Sequence, residues 1–145
     1  IEGAVGGIVA ADCKIGRMTY WAANATVPVY EISFRIVMTN VSSKPVTLSG
    51  DNFATTLDGT PIPPFNFSAR DVGDADIWRT YDSLTIRPGE ERSIALAYEI
   101  SQPTYDSWYK SSRTVAVSFT CGNQRVTYTK NSRSDEITVS DIETL

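Results

Sequence analysis

From Tyr30 to Met38 the chain alternates with a period of two. Tyr30, Ile32, Phe34, Ile36 and Met38 fall on one face, and Glu31, Ser33 and Arg35 on the other, with Val37 as its one apolar member. A β-strand throws successive side chains to opposite sides, so such a segment covers a core with one face and meets water with the other. The pattern recurs from Ser93 to Ile100, with Ile94, Leu96, Tyr98 and Ile100 inward. It returns with Val115, Val117, Phe119 and Cys121, continues with Val126 and Tyr128, and ends with Ile137 and Val139. Helical periodicity is almost absent.

Turn chemistry separates these runs. Asn40 to Lys44 is polar and stops at Pro45, Asp58-Gly59 is a tight-turn signal, and Pro88-Gly89-Glu90 launches the strand from Ser93. Pro61, Pro63 and Pro64 confine their segment to an edge or a connection, because proline cannot donate to a ladder. Residues 66–83 are polar and aromatic without clear strand limits. Gln102 to Ser112 reads as a long aromatic loop between two strands. Short strands at this spacing predict an all-β, antiparallel β-sandwich of seven to nine strands, and a length of 145 residues suits one domain, 1–145.

Three pieces resemble immunoglobulin-like domains of exported bacterial and archaeal surface proteins. One is the long strand ending in Thr39-Asn40 and followed by Ser42-Ser43-Lys44-Pro45-Val46-Thr47-Leu48; the second is Phe53 with Leu57-Asp58-Gly59. The third is Leu84 to Glu90 and the alternating run through Tyr98. Together they cover about half the chain. The resemblance implies an immunoglobulin-like sandwich of the lipoprotein, secreted-antigen or filament-subunit type, and it brings no catalytic residues, because fold does not transfer activity.

Composition narrows the chemistry. With no histidine, Ser-His and Cys-His nucleophile arrangements, the common neutral-pH proton shuttle and most zinc sites are ruled out. No Gly-rich phosphate loop is present, and most of the 17 acidic residues fall on outward strand positions or turns. The expectation is a protein that is not an enzyme. A net charge of −4 without a Lys/Arg cluster argues against nucleic acid. No apolar run of about 18 residues exists to span a membrane.

Several residues stand out as candidates. Asp71, Asp74 and Asp76, around Gly73, could chelate calcium, although the spacing matches no EF-hand and a solvated acidic loop is the simpler reading. Calcium is therefore the one cofactor entertained. Cys13 and Cys121 lie in strand-like segments and form either a disulfide, which suits an exported protein, or two buried thiols. Asn24, Asn40 and Asn66 each head an Asn-x-Ser/Thr triplet and are candidate glycosylation sites. Tyr105, Trp108 and Tyr109 form either a contact platform for a protein or carbohydrate, or a cap on the open end of the sandwich.

The N-terminal segment, 1–11, carries one charge, Glu2, and is otherwise Gly, Ala, Val and Ile on both faces. A strand apolar on both faces should be buried on both. Either it packs within its own domain, or Val5, Ile8 and Val9 are exchanged into a neighbouring copy by strand donation, a head-to-tail contact that grows filaments. Ile1 opens directly onto this stretch, as expected of a processed N-terminus, though trimming would leave the same start. The expected function is a secreted or cell-surface structural or adhesion module, with copies of itself or another surface protein as partner. The alternative is a soluble extracellular domain that recognises carbohydrate or another small ligand through residues 105–109.

Overall fold

The alternating segments fold as strands, as their periodicity requires. The computed structural model describes the backbone of residues 3–24, 26–64, 66–71 and 79–145, with the side chains of Asp71 and Tyr109 outside the description. In chain order the elements are β1 (Ala4–Val5), β2 (Ile8–Tyr20), β3 (Val29–Asn40), β4 (Val46–Ser49), β5 (Phe53–Leu57), β6 (Thr60–Ile62), β7 (Asn66–Asp71), β8 (Arg79–Thr80), β9 (Ser83–Ile86), β10 (Glu91–Ile100), α1 (Gln102–Lys110), β11 (Thr114–Cys121), β12 (Gln124–Asn131), β13 (Ile137–Val139) and β14 (Glu143–Thr144). The described residues thus hold fourteen strand segments, more than the seven to nine expected, because turns and bulges cut off pieces of two to four residues.

Among the described residues all pairings are antiparallel, and the secondary structure is β apart from α1 and one turn of 3-10 helix. One sheet runs β1-β2-β3-β10-β7-β8; the other runs β13-β12-β11-β5-β6, with β14 also on β12. The small β4–β9 ribbon brings Leu48, Leu84 and Ile86 into the same core. The inward faces match the alternation. Ile32, Phe34, Ile36 and Met38 of β3 and Ile94, Leu96 and Tyr98 of β10 are buried, as are Val115, Val117, Phe119 and Cys121 of β11. Across the core, Phe34 of the first sheet meets Phe53 and Tyr128 of the second at ring-centroid separations of 5.9 and 5.7 Å. Each tilted aromatic pair adds roughly 0.5–1.5 kcal/mol to the area it buries.

Residues 3–11 fold home. β1 pairs β2 with Val5 opposite Ile8, leaving Gly6-Gly7 as a two-residue turn with φ of 56° and 85°. Left-handed backbone at both central positions is what a type I′ hairpin demands, and glycine supplies it at little steric cost. Val5 and Ile8 are buried in the chain's own core, so they are not presented to a neighbour as strand donation requires.

The aromatic loop is also corrected, since Gln102–Lys110 is a helix. Ser101 caps it by accepting the Thr104 N–H at 3.3 Å, and Pro103 occupies the first turn, where a missing N–H does no harm. Thr104, Tyr105 and Trp108 share a face at helical spacing, turned to the sandwich, and Trp108 is 2% exposed.

Candidate interaction surface

The expected contact residues divide. Val5, Ile8 and Trp108 are interior, Val9 and Tyr105 are half-buried, and the Tyr109 side chain lies outside the description. Tyr105 packs on Tyr30 at 4.9 Å between centroids, with the Arg17 guanidinium 5.6 Å from its ring. Arg113, just after α1, holds the helix by donating to Ser107 Oγ at 3.1 and 2.6 Å and to Asp58 Oδ2 at 2.6 Å. The Asp58 carboxylate also accepts the Thr114 N–H at 2.9 Å; this bond first, and Arg113 second, hold its pKa below the ordinary value. These contacts turn the aromatic segment into a lid on one end of the core.

The two thiols are free. Cys121 sits opposite Gln124 at one end of the β11–β12 hairpin. Cys13 lies in the neighbourhood of Tyr128 of β12, whose titration is raised first by burial and second by that thiol. Burial pushes the Cys13 thiol up to about 12 and raises that of Cys121.

Of the three glycosylation candidates, Asn40 is fully buried. Its Nδ2 donates to Lys44 O and Ile86 O, both at 2.8 Å, and its Oδ1 accepts the Ser42 N–H at 2.9 Å and hydroxyl at 2.7 Å. No glycan reaches a nitrogen so engaged. Asn66 lies within β7, paired through β10, with Oδ1 held by the Ser68 and Thr80 hydroxyls. Asn24 stands exposed in a turn at φ 63°. Of the calcium candidates, Asp74 and Asp76 lie outside the described residues, as does the Asp71 side chain; among the described residues no group of three or more potential metal ligands occurs.

The surface that sequence reasoning missed is the edge of β2. β1 covers only Ile8 and Val9, so from Ala10 to Tyr20 the outer side of β2 has no strand partner among the described residues. A bulge between Ala11 and Lys14, with Asp12 at φ 51°, interrupts the strand, and a regular stretch from Lys14 to Tyr20 follows it. Open space borders this stretch: a cleft of about 410 Å³ separates Cys13, Lys14 and Ile15 from Lys130, Asp135 and Ile137. Trp21, at the end of the edge, is 66% exposed and Val27 beside it in the chain's next loop equally so.

The outward face of this sheet carries charge in rows. Lys14 lies directly opposite Arg35, Gly16 opposite Ser33, and Met18 opposite Glu31, which in turn faces Glu99 of β10. Like charges directly opposite one another destabilise a sheet. Glu31 is 6% exposed, and its pKa is raised, chiefly by burial; Arg35 lowers it, Glu99 raises it, and a hydrogen bond from Tyr20 lowers it. Neither Lys14 nor Glu99 makes an ion pair among the described residues. No helix among the described residues is long and apolar enough to cross a membrane.

No protein-family model matches the chain. No curated protein matches it at a significant level. A solved structure of a protein from Archaeoglobus fulgidus is similar over 90% of this chain and 94% of that chain, at 13% identity and a TM-score of 0.39. That likeness is too distant to carry an argument.

Proposed function

We propose that this chain is a non-enzymatic structural or adhesion module of an exported, surface-located protein, built as an immunoglobulin-like β-sandwich and acting through protein contacts. The supporting observation is the β2 edge, seven regular residues from Lys14 to Tyr20 with backbone groups unpaired on one side. Extended edges of this kind recruit another strand, and proteins that do not use them blunt them with proline, short strands, bulges or charge; here the bulge ends at Lys14 and leaves the stretch beyond it regular. β2 is thirteen residues long and has no proline. The export part rests on the resemblance of the strand and turn motifs, since the free thiols no longer argue for an oxidising compartment. Strand donation by residues 1–11 loses its support with Val5 and Ile8 in the core, and recognition through residues 105–109 loses its platform with Trp108 buried.

The test follows the native protein in its source cells by antibody after mild cross-linking. Wild-type chain is expected outside the cytoplasm in discrete cross-linked complexes, and Gly16→Lys is expected to be exported and folded but missing from them. Recovery of wild type from the cytoplasm as an uncross-linked monomer sinks the proposal.

A further inference from the structure

The charge rows bordering the open edge complement themselves. Two antiparallel strands related by a twofold axis normal to the sheet keep their cores on one side only if the paired residues have numbers of the same parity, because directly opposite residues share a face. An axis through Gly16 satisfies this, setting Gly16 against Gly16, Ile15 against Arg17, and Met18 against Lys14 of the second copy. One continuous row then reads Glu99, Glu31 and Met18 from one chain, followed by Lys14 and Arg35 from the other. The same row repeats on the far side of the axis. The two like-charge pairs that each chain carries are thereby aligned end to end with opposite sign. Lys14 of one copy is separated from Glu31 of the other by two strand spacings, about 10 Å, which the two long side chains span together.

We infer that two copies of this chain pair through Lys14–Met18 of β2, antiparallel about Gly16, to form one sheet across the dimer. This rests on the proposed protein-contact role and names the partner. The Gly16 position suits the centre of such a seam: a Cβ built there meets nothing within 4 Å, so space lies open around it. The register also carries the exposed Trp21 alongside Ala11 and Asp12 of the second copy, both exposed in the single chain. The contact is isologous, so it closes at a dimer and does not propagate. A seam of this size is weak, and salt weakens it further by screening the Lys14–Glu31 rows.

Sedimentation equilibrium of the chain up to about 0.3 mM, a range that populates weak interfaces, reads the association directly. Wild type is expected to dimerise, and Gly16→Lys, which sets two lysines face to face, to dissociate at least about tenfold more readily while keeping its circular dichroism. Met18→Lys, opposite Lys14, is expected to do the same. In a Cys13→Ser, Cys121→Ser background, Gly16→Cys is expected to form an interchain disulfide on mild oxidation and Met18→Cys is not, since four residues separate the two Met18 positions. A monomeric wild type overturns the inference, as does a dimer that survives Gly16→Lys or cross-links at Met18 in place of Gly16. A different protein, or an upstream segment of the chain, bound along β2 also overturns it while leaving the protein-contact role standing.

Discussion

The Gly6 carbonyl accepts the Cys121 thiol at 3.7 Å, so the N-terminal hairpin rests directly on the end of the β11–β12 hairpin of the opposite sheet. Gly6 N–H reinforces the contact by donating to Gln124 Oε1 at 3.0 Å. A Cβ at Gly6 would stand 2.6 Å from the Cys121 sulfur and 2.7 Å from its carbonyl oxygen, on a backbone already at φ 56°. Gly6→Ala is therefore expected to cost about 2 kcal/mol or more and to lower Tm by roughly 8 °C. Gly16→Ala, with ordinary backbone and open space, should leave Tm unchanged or raise it. Thermal melts of the two variants side by side check both, and equal behaviour would contradict the contact.

The thiols should be chemically silent in the folded protein. Reactivity follows the thiolate, and a pKa near 12 leaves Cys13 about a thousandfold poorer in thiolate at pH 8 than an ordinary cysteine near 9. Intact mass under non-reducing conditions should show both thiols reduced, and iodoacetamide should label them quickly only after denaturant is added. A mass deficit of two hydrogens would restore the disulfide.

Asn40 is a structural amide. Truncation to alanine strands the buried Ile86 carbonyl and removes a hydrogen bond from the exposed Lys44 carbonyl and from each of the two Ser42 groups that donate to its oxygen. Each unsatisfied buried group costs about 1–3 kcal/mol, so Asn40→Ala should lose about 2–4 kcal/mol, measured by urea denaturation. Mass spectrometry of native protein should find Asn40 unglycosylated whatever the state of Asn24.

Trp108→Ala distinguishes a core ring from a contact ring. Emptying a site with 2% exposure should cost about 3–5 kcal/mol. The loss should appear in denaturation midpoint, with no separate effect on retention by glycans. A stable Trp108→Ala domain would return the ring to the surface.

The core strands were legible because each buries one face. Phe34, Leu96 and Phe119 sit where alternation puts them, and all three are fully buried. The short segments were not, for reasons local to each. Gly6-Gly7 is a two-residue hairpin turn, but the apolar residues on both sides of it read as one continuous strand. Ser101 with Pro103 is a helix start, and Thr104, Tyr105 and Trp108 have helical spacing, yet nine residues give too little periodicity to outweigh the strands around them. The edge of β2 could not be seen at all, because which strand lacks a neighbour depends on sheet order, and sheet order depends on long-range pairing. Trp21 left a faint signal, a large aromatic outside any alternating run.

Glu31 makes stability depend on pH in the direction opposite to most paired carboxylates. Its folded pKa is raised above the unfolded one, first by burial, with Glu99 directly opposite adding to the rise and Arg35 and the Tyr20 hydroxyl opposing it. A group raised in this way binds its proton more tightly when folded. Its favourable contribution is complete below the unfolded value, near 4.3, and is lost as pH climbs through the raised folded value. Glu31→Gln removes that loss and the like-charge opposition while keeping a side chain that can meet Tyr20. The variant should be more stable than wild type by about 0.5–1 kcal/mol at pH 7, and the gap should close below about pH 4. Urea midpoints of both proteins across that span are the check. A Glu31→Gln protein less stable than wild type at neutral pH would mean that Arg35 and Tyr20 outweigh burial and hold Glu31 in its charged form.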